Sequence, residues 1–391
     1  MQKIDNILSW ATDLEENTLE QAQKTSRLPF LAGPLALMPD AHLGFGSTVG
    51  SVIPTRGAII PAAIGVDIGC GMVARRFDLK ADQLPDNLDA LLSGIERGIP
   101  AGVGKGRDKD IPGQGRIPMP KALRENVAFL YMEDRLRQTA ANQLGTLGSG
   151  NHFVELCLDQ EDSVWLVLHS GSRGVGNKLA THHINIAKGL MKDWFINLED
   201  PDLAYLVQGT PQFDAYVADL LWAQNYALAN REAMMDQAND ALWAALLHEP
   251  TILDTIQCHH NYTHLENIGG KENVWITRKG AISARLDQRG IIPGSMGTRS
   301  YIVRGLGNRA SYFSCSHGAG RRLSRSAARR EFSIESLESA MAGKTWNANK
   351  AEALLDEHPD SYKDIDVVMA AQADLVEIEY TLSQILNYKG T

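Results

Sequence analysis

The chain has 391 residues, is 44% hydrophobic and 22% charged, and carries a formal net charge of −9 at pH 7. This is the composition of a folded globular protein. No run reaches the roughly 18 apolar residues of a membrane helix, and the acidic balance excludes a nucleic-acid binder that works by bulk electrostatics.

Taken in chain order, residues 1–36 read as a helical lead-in, with a polar helix over Asp13–Leu28 that Pro29 ends. Met38-Pro39-Asp40-Ala41-His42 then enters a glycine-rich stretch that runs to Gly50, and Val49–Ile53 has the make-up of a short strand. Gly65-Val66-Asp67-Ile68-Gly69-Cys70-Gly71 follows, then a strand over Met72–Phe77 and a helix over Asp82–Arg97. Residues 100–120 hold five glycines and four prolines among Lys105, Arg107, Lys109 and Arg116. That is a mobile basic loop, either a linker or a lid, and motifs on both sides favour a lid. Lys121–Gln143 reads as helix.

A second glycine-rich motif, Gly145 to Glu155, runs into a strand over Phe153–Leu158. The apolar run Val164–Leu168 is of strand length. It ends at His169-Ser170-Gly171-Ser172-Arg173-Gly174, before a helix from about Asn177 to Trp194. Phe213, Tyr216, Leu220, Leu221 and Tyr226 recur at helical spacing, which makes Pro211–Leu247 one long helix or two stacked ones. After Cys258-His259-His260-Asn261, strands are expected at Val274–Thr277, Ile282–Leu286 and Ser300–Val303. Ser314-Cys315-Ser316-His317-Gly318-Ala319-Gly320-Arg321 is expected to open a helix carrying arginines, and the C-terminal part reads as helical up to Asn387-Tyr388-Lys389. Short strands packed among helices and joined by glycine turns imply one large α+β domain over residues 1–391, not an alternating βαβ fold.

Glycine lets a backbone take left-handed angles, so a glycine-rich turn can aim two short side chains at one point. Asp67 and Cys70 are such a pair, suited to a metal of mixed hard and soft demands; the plain alternative is a tight turn with a buried cysteine. His152, His169, His260 and His317 sit beside Gly, Asn or Ser in loops. Any one of them could be a hydrogen-bonding histidine without further role, but four in such settings argue for a site. Metals roughly 3.5–4 Å apart can share a thiolate, and one Cys, one Asp and three His supply ligands for two. Zinc or manganese would both be accepted. Between Tyr301 and Arg330 there are seven arginines and no Asp, Glu or Lys. Such local concentration in an acidic chain suggests an anion site, since the guanidinium fork matches phosphate oxygens, against the alternative of a solvated basic face. His182, His183, His248, His264 and His358 lie on stretches without such context and are given no role. Cys70, Cys157, Cys258 and Cys315 are too few and too spread for a disulfide framework, and Met1–Asn6 has no apolar signal core, so a cytoplasmic setting is expected.

Six stretches together, Met38–His42, Asp67–Gly71, Gly150–Phe153, His169–Gly174, Pro293–Thr298 and Ser316–Arg321, resemble in order the signature series of the RtcB-type RNA-splicing ligases, across residues 38–390. The resemblance implies an RtcB-like fold and a ligase, in tRNA splicing or RNA repair, that joins RNA 3′-phosphate or 2′,3′-cyclic phosphate ends to 5′-hydroxyl ends. It implies GTP and two manganese ions (Mn2+) per active site. Carried over by motif, Cys70 would bridge the metals, with Asp67 and His152 on one and His169 and His260 on the other. His260 is chosen over His259 because the ligand precedes an Asn. His317 would take GMP covalently. Asn151, Phe153, Glu155, Ser295, Ala319, Tyr362 and Lys389 match positions that hold the guanylate. Arg321 and Arg325, four apart on the expected helix, and Arg173 beside His169 are candidates for RNA phosphates. Ser170 and Ser149 replace a common Thr and Gly, changes that keep small residues. The implied partner is RNA, with no membrane and with an activating protein left open.

The competing reading is a two-metal RNA phosphatase or cyclic phosphodiesterase that uses no nucleotide. It would have no need of His317 or Lys389. A non-catalytic RNA-binding protein that kept the fold is a third, opposed by the intact set of Asp67, Cys70 and the four histidines.

Overall fold

A computed structural model describes residues 1–390. Two sheets organise them. The larger has eight strands. Seven run in the order Ile252–His259, Gly71–Lys80, Ser163–Ser170, Phe153–Leu158, Val376–Lys389, Arg299–Gly305, Arg289–Pro293, and Thr345–Trp346 pairs with Val376–Lys389 off this path. The smaller has six: Gln2–Ile4, Ile7–Ser9, Leu35–His42, Val49–Thr55, Val274–Lys279, Asn261–Glu266.

Ser163–Ser170 is buried at every position, as a strand covered on both faces must be. On one face Leu166 and Leu168 pack with Leu91 and Ile95 of helix Asp89–Gly98 and with Met234 and Leu242 of helix Pro211–Leu246. On the other, Trp165 and Val167 meet Ile256, Ile291, Ile302 and Leu382 of the same sheet. Its two edge strands come together there, so the sheet curls towards a closed barrel. The region expected as one long helix or two is a single 36-residue helix. Thr210 caps it by accepting from the Phe213 N–H, Pro211 takes the first turn where no N–H is needed, and Leu247 ends it in the left-handed region at φ 61°.

Several expectations are corrected. The lead-in is not wholly helical: Gln2–Ile4 and Ile7–Ser9 are strands, and the helix spans Glu16–Ser26. Asp82–Arg97 is a 3-10 turn at its start, Ala81–Gln83, and an α-helix only from Asp89, and Lys121–Gln143 is three short helices, Lys121–Arg124, Val127–Tyr131 and Asp134–Gln143. The strand expected over Ile282–Leu286 is Ala281–Ser283. The C-terminal part is not helical to its end, because Val376–Lys389 is a 14-residue strand inside the large sheet. Arg321 is not on a helix. Gly320 holds φ +77°, Arg321 forms an isolated bridge with Tyr362, and the helix Arg325–Glu331 starts only after Ser324 caps it.

The two sheets share a core, in which Met38, Val52 and Ile276 pack with Ile292, Tyr301 and Val376, and at one point a single residue links a strand of one to a strand of the other. His259 pairs with Gly71 in the large sheet and Asn261 with Lys279 in the small one. His260 lies at the crossing, its N–H donating to Cys70 O at 2.8 Å.

Candidate active site and metal centre

Strand register collects the expected residues at one end of the large sheet. Lys389 is opposite Phe153, Phe153 opposite His169, His169 opposite Met72, and Gly71 opposite His259. Residues that end or precede these strands (Cys70, His152, His169, His260 and Lys389) therefore converge although up to 319 positions separate them. Two glycines permit the approach. Gly69 turns at φ +70° against the Gln224 backbone, and Gly171 lies where any Cβ would run into the Asp67 carboxylate.

Cys70, His169 and His260 form one group of ligand atoms lying within 4.8 Å of one another, and Asp67, Cys70 and His152 form a second. Cys70 belongs to both. Its Sγ is 3.3 Å from Nε2 of His152 and of His169. His169 Nε2 is 2.8 Å from His260 Nε2, and His152 Nε2 is 3.0 Å from Asp67 Oδ2.

The protonation pattern fits a metal centre. His152 Nδ1 donates to Leu147 O at 2.9 Å and His169 Nδ1 to Asn151 O at 3.1 Å. The His169 bond fixes that tautomer and turns its Nε2 lone pair inward, whereas His152 Nε2 donates to Asp67 Oδ2, a proton that a bound cation would replace. Burial, then neighbouring imidazoles, hold His169 and His260 well below the usual histidine range, so both stay neutral. Burial works against the Asp67 charge, but the His152 hydrogen bond and charge, with lesser help from Cys70 and Arg173, keep its carboxyl below the usual range. Burial and then Asp67 push the Cys70 thiol well up. A bound divalent cation inverts that last preference, since a coordinating thiol gives up its proton. These five inward ligand atoms could hold a cation.

Next to this cluster is a cavity of about 220 Å³ lined by His169, His260, Asn151, Phe153, Ala319, Tyr362, Lys389, Arg321, Arg325 and His317. The His260 and His317 rings are 4.7 Å apart. His317 Nδ1 donates to Asp40 Oδ2 at 2.6 Å, which leaves Nε2 with the free lone pair. Asp40 lies in the Met38–His42 stretch, where no sequence signal marks its role, because its partner is 277 residues away.

Lys389, Tyr362, Arg321 and Arg325 share a second unforeseen carboxylate, Glu357. It accepts from Lys389 at 2.8 Å, Tyr362 Oη at 2.7 Å and Arg325 at 2.5 Å, with Arg321 at 3.4 Å. Burial opposes its charge, but Lys389 and Arg325 hold its carboxyl down at about 2. No sequence signal singles out this residue.

Two expected guanylate residues do not line the cavity. Glu155 is buried behind it, accepting from Asn387 Nδ2 at 2.8 Å, and burial raises its carboxyl to about 8. Ser295 turns to Thr298, 3.2 Å away, and lines a neighbouring cleft that also contains Tyr362. Arg173 is set apart as well: it donates to Thr146 Oγ1 at 3.2 Å and packs over Gly148 on the Asp67 side. Lys279, which also lines the cavity, was not anticipated. It donates to Phe45 O and Ala62 O, and burial lowers it to about 7.

Comparison with known proteins places the chain in a family. A family model described as tRNA-splicing ligase RtcB matches residues 21–390. The chain is similar to the RNA-splicing ligase RtcB of Escherichia coli (strain K12), at 47% identity over 96% of this chain and 95% of that protein. It is also similar to the RNA-splicing ligase RtcB of Mycobacterium tuberculosis (strain H37Rv), at 30% identity over 90% and 95%. The tRNA-splicing ligase RtcB of Pyrobaculum aerophilum matches at 30% over 90% and 87%.

Proposed function

Because this chain belongs to the tRNA-splicing ligase RtcB family, we propose that it is an RNA ligase of tRNA splicing or RNA repair. It consumes GTP and joins a 3′-phosphate or 2′,3′-cyclic phosphate end to a 5′-hydroxyl end. The observation that carries the reading is His317, oriented by buried Asp40, on a cavity shared with two ligands of the five-donor cluster.

Asp67, Cys70, His152, His169 and His260 would hold two manganese ions, with Cys70 common to both. Bound there, the metal supplies Lewis acidity at phosphoryl oxygens and offsets charge that builds during transfer. The remaining work is done by this chain's own side chains. Asp40 keeps the proton on His317 Nδ1, so Nε2 attacks the α-phosphorus of GTP; a P–N bond forms and pyrophosphate leaves. Arg321 and Arg325 at the cavity wall meet phosphate oxygens. Phe153, with the Lys389 ammonium 5.4 Å from its ring centroid, offers a face to the guanine, while Asn151, Ala319 and Tyr362 complete the pocket. Glu155 acts on the guanylate from behind this wall and Ser295 from the neighbouring cleft that Tyr362 also lines. His317 then gives GMP to the RNA 3′-phosphate and returns to neutral imidazole, and the 5′-hydroxyl displaces GMP. A cyclic end is opened by water first. Arg173, beside Asp67, meets a second RNA phosphate, and the loop at residues 100–120 is a lid over the RNA. The four cysteines are free thiols, which suits a reducing cytoplasm.

The test is guanylylation. The protein is incubated with α-labelled GTP and manganese and then denatured. Acid-labile, base-stable label on the chain, absent in His317→Ala, is expected. Metal-loaded protein that takes no label but hydrolyses cyclic phosphate would be a hydrolase instead.

A further inference from the structure

The loop between strands Leu35–His42 and Val49–Thr55 carries a phenylalanine that neither the metal centre nor the cavity uses. Both flanks of the loop reach the cavity, through His42 and Val49. Its backbone is fixed from three sides. Gln21 of helix Glu16–Ser26 donates to Gly44 O at 2.6 Å and accepts from the Gly44 N–H at 3.1 Å. Lys279, itself at the cavity, donates to Phe45 O. Gly46 holds φ +80° in contact with Ala62, where a Cβ has no room. On this fixed loop the Phe45 side chain is nevertheless 52% exposed. The Lys188 ammonium lies 5.9 Å from its ring centroid and is held at 2.5 Å by Asp202.

We propose that Phe45 is the stacking platform for an unpaired nucleobase of the RNA strand close to its reacting end; this rests on the RNA-ligase reading above. Three considerations support it. An aromatic ring held in water by a braced loop is pre-organised, so a base that stacks on it need not first order the loop. The Phe45 backbone is one side chain, Lys279, from the wall that holds His317, whose Cε1 is 3.1 Å from where a Gly280 Cβ would be. Finally, a chain of net charge −9 draws little affinity from long-range attraction to phosphate, and base–aromatic stacking is the sequence-tolerant, charge-independent way to hold a single strand.

The test uses single-stranded RNA 3′-phosphate oligonucleotides with 2-aminopurine at each of the last few positions in turn, titrated by fluorescence with full-length protein. The wild type should quench one position. Phe45→Ala should lose that quench and bind about 5- to 150-fold more weakly, the range that removal of one stacking partner corresponds to. Phe45→Tyr should retain both. Phe45→Leu, which keeps apolar bulk without a π face, should behave as Phe45→Ala and covers the case in which the alanine variant does not fold. Unchanged quench and affinity in the alanine and leucine variants would overturn the platform, as would RNA binding by the wild type with no position quenched. Wild-type protein that binds no RNA would overturn the platform together with its premise. The GTP-labelling assay on wild type judges the ligase reading separately.

Discussion

Asp40 and His317 are hydrogen-bonded twice: the His317 backbone N–H donates to Asp40 Oδ2 at 3.2 Å and Nδ1 at 2.6 Å. Asp40 is fully buried, with Oδ1 unpartnered. One carboxylate thus fixes both the position and the tautomer of His317, the nucleophile in the proposed reaction. Asn in its place can present an amide N–H to Nδ1 and move the ring proton to Nε2, the attacking atom. Asp40→Asn should lower the self-guanylylation rate by at least about 100-fold while leaving metal content unchanged, measured by label incorporation and elemental analysis.

Cys70 belongs to both ligand groups. Cys70→Ala should therefore lose both metal ions and not one. Elemental analysis of the purified variant after equilibration with manganese checks this, and two tightly held ions would refute the shared thiolate.

The buried Glu357 carboxylate has a sign that can be worked through. Its folded value of about 2 lies below the ordinary 4.5, so its ionised form stabilises the fold above about pH 4.5, and the contribution is lost as pH falls towards 2. The difference corresponds to about 3 kcal/mol. Glu357→Gln should cost stability of that order at neutral pH and little near pH 2. It should also weaken GTP binding, because Lys389, Tyr362 and Arg325 lose their common partner. Denaturant titrations across pH give the first answer; a parallel offset at every pH would contradict it.

Glu155 works the other way. Burial raises its folded value to about 8 from 4.5, so the unfolded chain sheds this proton first. The wild type should lose stability as pH rises from about 4.5 to about 8 and then level off. Glu155→Gln, which cannot ionise, should remove that slope and be the more stable protein at pH 8. Urea midpoints of the pair at several pH values measure it.

The five-donor cluster was legible in sequence because its residues sit in glycine turns at strand ends, where composition is unusual. Asp40 and Glu357 were not, because what distinguishes them is the partner across the fold: His317 for one, Lys389 and Arg325 for the other. The strand Val376–Lys389 hid for a different reason. Its register shifts against both neighbours, between Ile302 and Val303 and between Gln384 and Leu386. Each shift breaks the alternation that announces a strand, and its leucines and glutamates are good helix formers. The arginine run misled through spacing alone: Arg321, Arg325 and Arg329 are four apart, but Gly320 and the Ser324 cap put the first outside the helix.

Val376–Lys389 lies between Phe153–Leu158 and Arg299–Gly305, which gives the chain an order of assembly. While residues before 376 are being synthesised, those two strands have no neighbour on the sides that face each other, and each leaves a row of backbone N–H and C=O groups open to mispairing. Closing the gap joins segments some 230 positions apart (Lys389 with Phe153, for instance), the kind of pairing that slows folding. The same strand delivers Lys389 to the cavity that His317 lines. The wall of that cavity therefore stays incomplete until Val376–Lys389 has been made and has paired with both neighbours.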